Sequence, residues 1–189
     1  MLTNEDQLSI HFKKRNVINL ISNRLFSYSS LNTKQIVVLC IGTDRSTGDA
    51  LGPLVGTFLK ENYRLQHLKV YGTLHYPVHA KNLVETTEEL YQKYDDAHFI
   101  AIDASLGRLS SIGEIQCGKG SLKPGKALQK NLPPIGDFYI TGIVNVSGFM
   151  EYSVLQSTRL SLVLSMARSI AKALWLYDYK LSRSKGISF

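Results

Sequence analysis

Residues 36–42, "IVVLCIG", form a continuous apolar run rich in β-branched side chains, the pattern of a strand buried on both faces. "DALGPLVGTFLKENY" (49–63) follows with helical spacing; its first glycine and its proline stand near the start, where a helix tolerates them. "LKVYGTL" (68–74) predicts a second strand and "AKNLVETTEELYQKY" (80–94) a helix with Leu83, Leu90 and Tyr91 on its buried side. "AHFIAIDAS" (97–105) predicts a third buried strand, ending in Asp103. Strands alternating with helices in this order imply βαβ crossovers and a largely parallel sheet. The pattern then changes. "SIGEIQCGKGSLKPGKAL" (111–128) alternates between glycines, predicting an antiparallel strand and a glycine-rich loop, and "FYITGIVNV" (138–146) predicts a further strand. "EYSVLQSTRLSLVLSMARSIAKALWLYDYKL" (151–181) carries Leu155, Leu162, Met166, Ile170 and Leu174 at helical spacing, a long amphipathic helix with room for one break. At the other end Ile10, Val17, Ile18, Ile21 and Leu25 predict an N-terminal helical extension within residues 1–32, running into the polar loop "SYSSLNTKQ".

The chain of 189 residues suits a single α/β domain over 1–189, with a basic tail at 181–189. Its apolar runs are strand-sized, short of the roughly 20 residues a membrane span needs. The first residues lack an apolar core and cleavage site, so the expectation is a cytoplasmic protein with no membrane partner. A net charge of +7 raises the question of nucleic acid, but the excess gathers in "HFKKR" (11–15) and "KLSRSKGISF" (180–189), with no base-reading motif, and nucleic-acid binding is not expected. Two cysteines, Cys40 and Cys117, make neither a disulfide framework nor a CxxC zinc site. His75 and His79 have metal-ligand spacing for a helix, but Pro77 between them argues for two loop histidines.

The candidate chemistry lies at the strand ends, where open α/β sheets hold ligands. Asp44 and Asp49 follow the first strand and Asp103 closes the third. If those strands are neighbours, Asp49 and Asp103 share a cleft. Two carboxylates there would part their pKa values, share a proton and activate water, or hold a divalent cation. The plainer alternative is that Asp49 caps a helix and Asp103 fixes a turn, and spacing alone favours it. "GTDRSTGDALG" is neither GxxxxGK[ST] nor GxGxxG, which leaves nucleotide binding without a motif. Ser46, Thr47, Ser105 and Ser147 lack a nucleophile-elbow frame, and His98 reads as a strand residue rather than a base.

Three segments, "CIGTDRSTGDALGP", "AIDASLG" and "NVSGFMEYSVLQSTRLSLVLSMA", resemble the YyaC family of sporulation proteins of endospore-forming bacteria, over roughly residues 33–180. That family is similar to the spore germination protease, which degrades small acid-soluble spore proteins, and more distantly to hydrogenase maturation endopeptidases. The resemblance implies a three-layer, phosphorylase/hydrolase-like α/β sandwich with a mostly parallel central sheet. The protease's "PDALGP" and "IDAL" segments carry aspartates proposed as catalytic, and these match Asp49 and Asp103. A catalytic pair of Asp49 and Asp103, with Asp44, Thr47 and Ser105 contacting substrate, is therefore the expectation.

The hydrogenase relatives have a glutamate at the position of Asp49 and an aspartate at that of Asp103, and engage nickel on their substrate with these and a histidine. No histidine here matches that third position, so neither a metal nor a cofactor is expected. The implied partner is a protein or peptide, with a small acid-soluble spore protein as the candidate, inside the forespore or spore; a homo-oligomer is a further expectation. The chain is shorter than the germination protease. The alternative is a non-catalytic sporulation factor that keeps the fold as a peptide-binding module.

Overall fold

The computed structural model describes residues 7–29, 35–124 and 133–184. Parts of the N-terminal stretch, the polar loop, the glycine-rich loop and the basic tail fall outside them. The strands are β1 (Gln7–His11), β2 (Gln35–Cys40), β3 (Leu68–Tyr71), β4 (Ala97–Gly107), β5 (Glu114–Lys119) and β6 (Phe138–Val146). The α-helices are α1 (Val17–Tyr28), α2 (Leu51–Asn62), α3 (Leu83–Lys93), α4 (Glu151–Gln156) and α5 (Leu160–Ser184). They build one six-stranded sheet in the order β1-β5-β6-β4-β2-β3. It is parallel from β3 through β2 and β4 to β6, and antiparallel beyond, at β6–β5 and β5–β1.

The two continuous apolar runs occupy the interior strands β2 and β4, as their lack of a polar face requires. Alternate residues feed two cores. Ile36, Val38, Cys40, Ile100 and Ile102 meet α1, α2 and α5 on one face; Val37, Leu39, Phe99 and Ala101 meet Leu83 and Leu90 of α3 on the other. The result is a three-layer α/β sandwich. Helix α2 approaches the sheet closely because it carries glycine where it touches: a Cβ on Gly52 would lie 2.1 Å from the Ile41 carbonyl oxygen, and one on Gly56 1.9 Å from that of Gly72.

Three expectations change. Ile10 stands on a strand, not a helix: Leu8 and Ile10 point to the core while Gln7, Ser9 and His11 take the other face, so the N-terminal extension is helical only from Val17. Tyr91 of α3 is exposed and Thr87 fills the inner stripe. α5, at 25 residues, has the length and apolar content of a membrane span, but its stripe of Val163, Met166, Ile170 and Leu174 is buried in the core. The break that separates it from α4 has a visible cause. Asn145 Nδ2 donates to the Val154 carbonyl and to Thr158 Oγ1, and Thr158 Oγ1 donates to the same carbonyl, which takes the acceptor a continuing helix would use.

Candidate active site

The direction of winding changes at β2. Helix α2 carries the chain to β3 on one side of β2, and α3, on the opposite face, carries it back to β4 on the other side. The carboxyl ends of β2 and β4 therefore flank a topological switch point, where sheets of this class form a crevice. Ile41 N–H continues the pairing past β2 with a 2.7 Å bond to the Ile102 carbonyl, which sets the chain leaving β2 directly beside Asp103.

The loop after β2 is folded back on the strand it leaves. Gly42, at φ +138°, gives its N–H to the Val78 carbonyl at 2.8 Å, and Thr43 N–H reaches the Asp49 carbonyl at 3.2 Å. A Cβ on Gly42 would stand 2.0 Å from that same Asp49 oxygen, so only glycine permits this closure. Asp49 is the middle residue of a 3-10 turn, Gly48–Ala50, that runs into α2. The turn packs against β4, α4 and α5, with Gly48 tight on Leu155 and Thr158. Asp49 is half-buried. Neither N-cap residue, Thr47 for the turn nor Ala50 for α2, makes a side-chain cap.

Asp103 is 7% exposed, and its carboxylate accepts the Ala104 N–H at 2.8 Å, which fixes its rotamer. It lies on the wall of a cleft of about 850 Å³ that spreads over β4, β6, β5 and β1 on the sheet face that also carries α3, beyond the area the helix covers. Register makes that face polar: Ser9, Gln116, Thr141 and Asp103 form one rung across four strands. Ser105, two residues along β4, lines the same cleft, and its hydroxyl is buried with no hydrogen-bond partner among the described residues. Tyr139 stands one rung away, over Gly118, where a Cβ would lie 2.6 Å from the phenol oxygen. Burial, with a smaller contribution from Cys117, pushes the Tyr139 hydroxyl above its usual pKa, so it remains a donor at neutral pH. Arg108 and Glu151 stand at the mouth.

The structure thus places Asp103 and Ser105 together on the cleft wall and puts the Asp49 turn against the same strand. Asp44, Thr47 and Asp49 do not line the cleft: Asp44 is exposed, within 3.4 Å of Thr43 Oγ1, and Thr47 is half-buried. Gln116, Tyr139 and Thr141 escaped the sequence reading. Their signal was period-two polarity in otherwise apolar strands. Among the described residues no three His, Cys, Asp or Glu side chains gather as a metal-ligand set.

The profile of a family described as "Protein of unknown function (DUF1256)" matches residues 9–173. The chain belongs to the DUF1256 family. A relative of this DUF1256 chain, "Uncharacterized protein YyaC" of Bacillus subtilis (strain 168), is 56% identical over 145 residues, covering 77% of this chain and 70% of that one. Among solved structures, the [NiFe] hydrogenase maturation protease HycI from Thermococcus kodakarensis KOD1 superposes with a TM-score of 0.56 at 18% identity, covering 82% of the DUF1256 chain and 98% of its own. The DUF1256 fold is therefore the α/β fold of that protease.

Proposed function

We propose that this protein is a peptidase of the sporulating cell, acting on a small spore protein, with Asp103 and Asp49 as the groups that handle water and protons. The observation that carries the reading is Asp103: a carboxylate buried in the second half of β4, one residue past the level at which the pairing with β2 ends, on the wall of a large cleft beside the switch point of the sheet. In the proposed chemistry the ionised member of the pair takes a proton from water as it attacks the peptide carbonyl. The protonated member gives its proton to the leaving amine, so the two exchange roles over one turnover. The unpartnered Ser105 hydroxyl and the Tyr139 phenol offer donors to a substrate backbone crossing the rung of Gln116 and Thr141.

The test is incubation of the purified chain with small acid-soluble spore proteins, with cleavage followed by mass spectrometry. Asp103→Asn and Asp49→Asn are each expected to abolish product while melting within a few degrees of the parent. Cleavage by Asp103→Asn at the parent rate overturns the reading. A second reading, an interaction module without catalysis, is favoured by the position of Asp49 off the cleft wall. It predicts binding of the same proteins with no cleavage by any variant.

A further inference from the structure

The connection from β3 to α3, residues 72–82, is longer than the 2–6 residues usual for such a link, and it is ordered by its own bonds. Thr73 N–H reaches the Tyr76 carbonyl at 3.0 Å and Tyr76 N–H returns to Thr73 Oγ1 at 3.1 Å. Thr57 of α2 holds Leu74 N–H at 3.0 Å. Asn82 spends its side chain inside the loop, accepting from His79 N–H at 2.8 Å and donating to the Pro77 carbonyl at 3.1 Å. Gly72, at φ +85°, seats the start of the loop on the Cys40 carbonyl. A long loop held this rigidly at the carboxyl edge of a sheet is the usual foundation of a binding site.

Under it lies a hollow of about 490 Å³, separate from the Asp103 cleft and within the size range of small-molecule sites. Lys60, His75 and His79 line it, with hydroxyls from Thr73, Tyr76 and Thr86. No carboxylate does: Glu61, Glu85 and Glu89 on the flanking helices are all outside the lining. His79 Nδ1 is buried with no partner among the described residues, so no internal bond spends the ring. A lysine ammonium, two imidazoles and several hydroxyls around a concave surface, with no carboxylate among them, supply a fixed positive charge and a set of donors, the complement of an oxyanion; an imidazole N–H donates to phosphate in either protonation state. Tyr76, 80% exposed at the rim, offers a ring face beside it.

From this geometry we infer that the hollow between α2, the 72–82 loop and α3 binds a small phosphate-bearing ligand. The site also has a mechanical link to the candidate active site. Val78 bridges to Ile41, and its carbonyl holds the N–H of Gly42, the residue on which the Asp49 carbonyl rests.

The full chain should be titrated by calorimetry and by histidine-detected NMR with two probes, inorganic phosphate and adenosine monophosphate. Saturable shifts of the His75 and His79 ring signals are expected with at least one. Response to both identifies the phosphate as the recognised group; response to the nucleotide alone adds stacking on Tyr76. Lys60→Gln is expected to weaken binding about tenfold or more, the loss of one charge-assisted hydrogen bond. Lys172→Gln, an exposed cation on α5, should leave it within about twofold. Absence of saturable shifts with either probe, or equal weakening by the two lysine variants, overturns the inference. The parent chain's NMR titration decides even if Lys60→Gln fails to fold.

Discussion

Asp178 is fully buried on α5, and its carboxylate collects three backbone N–H groups, from Gln66 at 3.0 Å, His67 at 2.8 Å and Leu68 at 3.1 Å. Gln66 and His67 lead into β3 and Leu68 opens it, level with Ile36 of β2. A buried charge is tolerated when its hydrogen bonds are complete. Asp178→Ala would leave three buried donors unpaired and is expected to cost about 3–5 kcal/mol in urea denaturation. Asp178→Asn keeps one acceptor oxygen and should fall between. Gly42 makes the opposite case, a residue chosen for what it lacks. Gly42→Ala sets a methyl against the Asp49 carbonyl at a positive φ and should lower stability by about 1–3 kcal/mol. In the peptidase reading, it should also lower kcat by shifting the Asp49 turn, whereas a purely structural role moves the melting temperature alone.

At the scale of elements, α2 is fixed by glycines at its contacts rather than by large side chains. Gly56→Ala would press a methyl into the Gly72 carbonyl and force α2 away from β3, so the variant is expected to melt several degrees lower despite alanine's better helix propensity. Element type was legible wherever one period dominated: β2 and the Phe99–Ile102 stretch of β4 have no polar face, and α5 keeps its stripe over six turns or so. It was lost where periods overlap. "QLSIH" alternates for only 5 residues, and Ile10 also falls at helical spacing from Val17, so a strand and a helix both fit until β5 supplies the partner. Asp103 could be found because an acidic residue closing an apolar run is conspicuous, although β4 itself continues past it to Gly107. Gln116 and Thr141 could not, because their place beside it depends on the β5–β6–β4 register, which is a long-range fact.

For the whole molecule, the buried acids decide the response to alkali. Burial raises the Cys40 thiol far above its ordinary pKa, the Cys117 thiol to about 12, and the Tyr177 hydroxyl to about 12. Each is held neutral in the fold and ionises more readily once unfolded. The unfolded chain therefore releases protons first as pH rises past about 8.5–10, and stability falls from there toward pH 12. The melting temperature is expected to be level near neutrality and to drop steadily above pH 9, with a shallower drop in Cys117→Ala. Native thiols should resist alkylation at pH 8 and react only under denaturant. Prompt labelling of folded protein would contradict the burial of both cysteines.

The Asp178 clamp also constrains the order in which the protein can be finished on the ribosome. The carboxylate that receives the Leu68 N–H is encoded 110 residues downstream of it. At about 5–20 residues per second, β3 waits on the order of 5–20 s after its own synthesis before that acceptor exists. During that interval the N–H groups of Gln66, His67 and Leu68 have only water to bond, so it is the acceptor brought by α5 that seats the start of this edge strand.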